Sequence, residues 1–312
     1  MASVRQIVSR ILATVLITIL CVCWAGCTGA EKKQQTRPIV VATTTMIADL
    51  AGHLCGERMQ VEGLMRTGED PHIYEPKPMD ARLISKARLV LTNGLHLEGT
   101  LEAIIHNNLA EGAVLQHLAE DEKIKAIESQ QYQGAPDPHC WFSIPYYKVY
   151  VERALQALIQ VDPEGEQLYR ANTERYLVRL DSLDSYARQR FSSIPPEKRV
   201  LVTGHDAFQY FGREYGIKVF GVIGISTEQE PRPQDIESLI AKIKENDIPA
   251  IFIETSVSST LNNLVRKISE KTDAVLGGTL YSDSLGEPDG PAGTYIDMFG
   301  YNVETIVTAL SS

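Results

Sequence analysis

Three histidines recur at near-equal intervals along this 312-residue chain, each in a turn-forming setting: Asp70-Pro71-His72, Asp137-Pro138-His139 and Thr203-Gly204-His205-Asp206. Asp283 follows at a similar spacing, and the successive gaps are 67, 66 and 78 residues. Gaps of this size are far too long for a local zinc knuckle. Side chains so spaced meet only where two halves of a large fold face each other. Three imidazoles and one carboxylate gathered there form a credible coordination set for a divalent transition metal. A single Asp-Pro-His says little, because Asp and Pro are ordinary turn formers; the weight lies in four such positions together. His53, His96, His106 and His117 lack that context and read as exposed helix or loop residues.

The intervening elements alternate as a two-lobed α/β fold requires. Residues 38–43, 60–65 and 88–92 read as strands, and 46–55, 77–87 and 97–109 as helices between them. Residues 128–142, with Gly134, Pro136 and Pro138, read as loop, and 144–161 as helix. Residues 163–191 carry Leu168, Tyr176, Leu180, Leu183 and Tyr186 at heptad-like spacing. They predict one rigid helix of about 28 residues, about 40 Å long. A second series follows: strands at 199–203, 218–222, 249–254 and 274–276, helices at 207–215, 233–246, 259–271 and 294–310. The expected architecture is two lobes, 38–162 and 195–312, each a mostly parallel sheet flanked by helices, joined by a linking helix at 163–194. His205 and Asp283 then follow strands of the second lobe, while His72 and His139 come from loops of the first. Ligands of open α/β sheets gather at the carboxyl ends of strands, so the metal cleft is expected between the lobes.

Residues 1–26 read as a signal peptide: Arg5 and Arg10 precede a 15-residue apolar stretch, Ile11 to Ala25, short of the roughly 20 residues that a membrane span needs. It ends in Trp24-Ala25-Gly26-Cys27, which resembles a bacterial lipobox with Trp24 in place of the usual aliphatic residue. Cys27 is the expected lipidation site and residues 27–37 the flexible tether behind it. Loss of two arginines takes the formal charge from −10 to −12, which argues against nucleic acid as a partner. Of the cysteines beyond Cys27, Cys55 and Cys140 permit a disulfide in an exported protein, but two small buried thiols is the preferred reading. Asp70 and Asp137 read either as caps of their turns or as groups that orient the imidazoles, and Glu254 as a second such group or a helix cap.

Three segments resemble a known family: Gly68-Glu69-Asp70-Pro71-His72-Ile73-Tyr74-Glu75-Pro76, Asp137-Pro138-His139-Cys140-Trp141-Phe142, and Thr203-Gly204-His205-Asp206-Ala207-Phe208-Gln209-Tyr210-Phe211. With Phe252-Ile253-Glu254 and Tyr281-Ser282-Asp283-Ser284-Leu285-Gly286 they run in the order found in the cluster A-I solute-binding lipoproteins of zinc and manganese ABC transporters. The resemblance implies His72, His139, His205 and Asp283 as metal ligands, Mn²⁺ or Zn²⁺ (Fe²⁺ in some settings) as cargo, and an ABC transporter permease as partner. It further implies a monomer, exported and held to a lipid bilayer through the acyl groups of Cys27. Many manganese-binding relatives carry Glu at the third position, and the zinc branch often has a His-rich loop that residues 110–136 lack. An enzyme is not expected; the rival readings are a zinc-dependent hydrolase, for which no His-Glu-x-x-His motif occurs, and a surface adhesin. The long helix predicts small lobe movements, with release by rearrangement around Asp283, near Gly286, Gly290 and Gly293.

Overall fold

Two short segments with apolar residues on both faces, Ile39–Ala42 and Leu89–Thr92, form the centre of the first sheet. The computed structural model describes residues 3–4, 37–129 and 134–311; the expected leader (apart from Ser3 and Val4), Cys27 and tether residues 28–36 lie outside the described residues. Pro38–Ser312 makes one compact unit. It opens with β1 (Ile39–Ala42), α1 (Thr45–Cys55), β2 (Gln60–Gly63), α2 (Pro78–Ile84), β3 (Leu89–Thr92), α3 (Thr100–Asn108) and β4 (Val114–His117). The four strands pair in parallel in the order β2-β1-β3-β4. Side chains alternate across this sheet as the pleat dictates. Val40, Ala42, Leu89 and Leu91 enter one apolar cluster, and Val41 and Val90 enter another beneath α2 and α3.

Strand β4 is absent from the sequence reading. It is a half-buried edge strand, and its pairing of Leu89 with Val114 follows from the open edge of β3 rather than from local propensity. His117 therefore sits on a strand, half-buried, and not on an exposed helix or loop.

Two helices then cross between the halves: α4 (Ile144–Val161), capped by Ser143, and α5 (Glu166–Ser192), which follows a 3-10 turn at Pro163–Gly165. At 27 residues, α5 runs about 40 Å. It packs on α1 and α4, and on the C-terminal helix of the second half. Its buried stripe is Tyr169, Asn172, Thr173, Tyr176, Leu180, Leu183, Ala187 and Phe191. Leu168 and Tyr186, expected in that stripe, are instead 42% and 40% exposed. Asn172 and Thr173 occupy the buried face in their place, and Asn172 Nδ2 donates to the Leu54 carbonyl at 2.9 Å.

The second half contains β5 (Val200–Thr203), α6 (Gln209–Tyr215), β6 (Lys218–Gly221), α7 (Pro233–Glu245), β7 (Ala250–Glu254), α8 (Ser259–Glu270), β8 (Val275–Leu280) and α9 (Tyr295–Leu310). Strands pair in parallel as β5-β6 and β7-β8, with β5 beside β7. β8 runs four residues beyond its expected end. Gly277 permits this, since a Cβ there would meet the Phe252 ring at 2.6 Å, and a bulge opposite Ile251/Phe252 absorbs the irregularity. The fold is thus α/β in two lobes, each with parallel strands flanked by helices.

One apolar cluster is continuous across both lobes, from Val40 and Leu50 through Leu158 and Leu180 to Phe252 and Val303. A packed interior of this kind couples the halves energetically. Leu180, fully buried on α5, lies in that shared interior. Leu180→Ala is expected to cost about 2–5 kcal/mol and to lower the melting temperature in a single transition. Coincident melts by far-UV circular dichroism and tyrosine fluorescence are the check; two separated transitions would contradict a shared core.

Candidate metal centre

Turn chemistry sets two of the three histidines. In both Asp-Pro-His segments the aspartate side chain accepts from the histidine N–H two residues on: Asp70 Oδ1 from His72 and Asp137 Oδ1 from His139, each at 2.9 Å. Such Asx turns are local and self-contained, with proline fixing φ between the two residues. His72 lies in a 3-10 turn, Pro71–Ile73, and His139 precedes another, Cys140–Phe142.

The two aspartates then diverge. Asp137 Oδ1 also lies 2.7 Å from His139 Nδ1, so it both caps the turn and orients the ring. Asp70 turns its other oxygen to the Thr227 hydroxyl at 2.6 Å and acts as a cap that ties two loops together.

His205 follows β5 directly. Its backbone N–H donates to Glu254 Oε1 at 2.9 Å, and its Nδ1 stands 2.8 Å from Glu254 Oε2. Glu254 therefore stands behind the ring as its ion-pair partner, held to the His205 backbone, and is not a helix cap. Gly204 makes room for it, since a Cβ there would stand 3.0 Å from Glu254 Oε1. Carboxylates behind Nδ1 of His139 and His205 leave Nε2 as the inward lone pair. Asp283 follows β8, and its Oδ2 accepts from Ser256 Oγ at 3.2 Å and Ser282 Oγ at 3.4 Å. Trp141 packs edge-on to His139 and donates Nε1–H to the Ser282 carbonyl at 3.2 Å. Tyr210 donates to the Asp137 carbonyl at 2.7 Å.

All four sequence-singled residues converge. One donor atom from each of His72, His139, His205 and Asp283 lies within 4.8 Å of the other three, and all four residues are buried. Nε2 of His72 and His139 are 3.2 Å apart, His139 Nε2 and Asp283 Oδ1 3.5 Å, and His205 Nε2 and Asp283 Oδ2 3.2 Å. A tetrahedral ion with bonds near 2.0–2.1 Å sets its donors about 3.3–3.4 Å apart. The three separations bracket that value, with Asp283 contributing Oδ1 to one and Oδ2 to another. His205 Nε2 and Asp283 Oδ1 have no hydrogen-bond partner although buried, an expensive arrangement unless something charged joins them.

Burial pushes the His72 imidazole down to about 3, so it is neutral at pH 7. Burial also opposes charge on His205, but Glu254 and Asp283 outweigh it and raise its pKa well above 6.5. Burial likewise opposes the Asp283 charge, and His205 is the main group that holds it below the ordinary carboxylate range.

The remaining histidines stay apart. His53 stacks on Tyr176, His96 is exposed in a loop, and His106 faces His117 at 6.4 Å between ring centres. Cys55 and Cys140 are free, buried thiols, each pushed up to about 12 by burial. The sequence reading missed Thr227, Ser256 and Ser282. Hydroxyls in loops are too common to stand out, and only the fold reveals them.

The profile of the family described as zinc-uptake complex component A, periplasmic, matches residues 40–309. The chain belongs to this family. It is 37% identical over 305 residues to the manganese-binding lipoprotein MntA of Bacillus subtilis, covering 96% of this chain and 98% of that one. It is 35% identical over 280 residues to the zinc-binding protein TroA of Treponema pallidum, covering 88% and 89%. Among solved structures, the periplasmic zinc-binding protein TroA superposes with a TM-score of 0.83 at 34% identity, over 88% of this chain and 99% of that one. The Mn-bound periplasmic metal-binding protein of Candidatus Liberibacter asiaticus gives 0.80 at 28% identity, over 88% and 100%. Among the described residues no helix is long and apolar enough to cross a membrane.

The raised His205 pKa fixes the sign of the pH dependence. The His205 proton stabilises the metal-free fold below the unfolded pKa, and that stability is lost as pH rises through the raised value. An ion taking His205 Nε2 must displace that proton. Affinity is expected to rise with pH through neutrality as about one proton leaves per ion, checked by calorimetry in buffers of different ionisation heat. Glu254→Gln should lower affinity roughly 10–100-fold and shift the proton release to lower pH. Proton release identical in wild type and variant would contradict the assignment to His205.

Proposed function

We propose that this chain is the extracytoplasmic receptor of a metal importer, which captures Mn²⁺ or Zn²⁺ with His72, His139, His205 and Asp283. It would then present the ion to the permease of an ABC transporter. The observation that carries this reading is the convergence of four buried side chains, one donor atom from each within 4.8 Å of the other three. Family membership supports it, as do relatives named for manganese or zinc binding. Cys27, as the lipid-bearing N-terminus of the mature chain, would hold the receptor to the bilayer as a monomer, in keeping with relatives named lipoproteins.

We infer a carrier and not a hydrolase. Catalytic zinc keeps an open position for water and a carboxylate free to act as base. Here Asp137 and Glu254 are committed to imidazoles, Asp70 to a turn and a hydroxyl, and Asp206 to Gln209. By the Irving–Williams order Zn²⁺ binds this donor set more tightly than Mn²⁺, so affinity alone does not name the physiological cargo.

Mass action predicts that an ion at 100 times its dissociation constant stabilises the fold by about 2.7 kcal/mol. Wild-type protein should melt at a higher temperature with Zn²⁺ or Mn²⁺ present. His139→Ala and Asp283→Ala should abolish most of that rise while remaining folded without metal. An undiminished rise in both variants would place the ion elsewhere. Elemental analysis of native-source protein then identifies the cargo.

A further inference from the structure

The four donors are unequally accessible. His139 and His205 are fully enclosed and Asp283 is 1% exposed, whereas His72 retains 7%. Among the described cavities, only one is lined by any of the four, and the donor is again His72. That cavity holds about 180 Å³, and its walls include Pro138, Ile225 and Ser226. Two side chains with metal affinity also line it: His96 and Glu228. Both residues are exposed, and the His96 side chain keeps 83% of its surface in solvent, so they stand at its outer end.

His96 is also held in place by its backbone. Leu95 and His96 both have positive φ, 55° and 63°, a left-handed conformation unusual for side chains other than Asn, Asp, His and Gly. The turn is fixed by Glu98, which accepts the Asn93 and Gly94 N–H groups at 2.6 and 3.1 Å, and by Glu120, which accepts that of Leu95 at 3.2 Å.

We propose that the ion enters and leaves through this cavity, with His96 and Glu228 as the outer ligands it meets before His72. The proposal rests on the metal-carrier reading above. A hydrated divalent ion must shed water before reaching a dry site, and an imidazole and a carboxylate at the mouth replace some of that water. Such groups lower the barrier in both directions without touching the bound state.

The test is stopped-flow loading of metal-free full-length protein with Co²⁺, followed by its visible absorbance, and release to excess chelator. The double variant His96→Ala/Glu228→Gln should load and release Co²⁺ roughly tenfold more slowly, as one barrier raised equally from both sides, with an unchanged dissociation constant. Ser226→Phe, which narrows the passage, should slow both rates in the same way. Unchanged rates in both variants would overturn the route. A loss confined to the association rate, with weaker affinity, would overturn it too, since that marks remote electrostatic steering. Both substitutions in the double variant are at exposed side chains, and an unaltered melting temperature verifies folding. If wild type takes up no Co²⁺ at all, the carrier reading itself falls, a result distinct from a misplaced route.

Discussion

Four buried donor groups crowd within 4.8 Å of one another in a dry pocket, and the packing around them has to hold them there. Two imidazole Nε2 atoms that face each other at 3.2 Å cannot both be unprotonated acceptors at rest without a cation or a proton between them. Carboxylates stand behind two of the three rings, those of His139 and His205. Asp137 fixes the tautomer of His139, while Glu254 and Asp283 together hold a proton on His205. A divalent ion that displaced that proton would raise the charge of the enclosure by one. A pocket of neutral rings without those carboxylates would bind more weakly and orient its donors less well.

Holding donors from two lobes at such distances also requires that the lobes not drift. The shared apolar interior and α5 supply the coarse restraint. Finer restraint comes from hydrogen bonds on either side of Asp283. Gly68 N–H donates to Ser284 Oγ and Leu285 N–H to Thr45 Oγ1, both at 2.8 Å, and Trp141 Nε1–H reaches the Ser282 carbonyl. Asp283 belongs to the second lobe by sequence, yet its flanks are fastened to the first. Gly286 and Gly293 serve close packing there, since a Cβ on Gly293 would meet the Pro288 carbonyl at 2.5 Å and the Gly286 N–H donates to Ala292. Movement of this loop therefore requires breaking bonds that span the cleft.

The sequence was informative where chemistry and periodicity coincide. His72, His139, His205 and Asp283 stand out because few residue types ligate metals, and His205 also follows a β-branched run that marks a buried strand. The strands of the sheet centre were legible because both faces are apolar, as with Val40, Val41 and Leu91. Strand β4 was not, because an edge strand is stabilised by its neighbour's unpaired groups and carries little signal of its own. The buried face of α5 was misread at Leu168 and Tyr186 because two polar residues, Asn172 and Thr173, interrupt the apolar stripe. The double role of Asp137 and the single role of Asp70 were indistinguishable in sequence, since the tripeptides are identical and only the direction of the ring differs. Thr227 and Ser256 had no signal at all, and Ser282 appeared only as part of the family-like segment around Asp283.

Those two serines bear on how the site treats different ions. Asp283 Oδ1 has no hydrogen-bond partner, whereas Oδ2 already accepts from Ser256 and Ser282. An ion content with four ligands takes Oδ1 and leaves both serine bonds intact, which suits the tetrahedral preference of Zn²⁺. An ion that takes both oxygens gains a fifth bond and weakens two hydrogen bonds, each worth about 0.5–1.5 kcal/mol net, or more to a charged acceptor. The serines thus set a modest energetic barrier to five-coordination. That term is small beside the Irving–Williams preference for Zn²⁺ and acts in the same direction. A receptor built on these donors therefore does not select Mn²⁺ by equilibrium strength. Any such selection has to come from the ions available outside the membrane or from the rate at which each is taken up and given away.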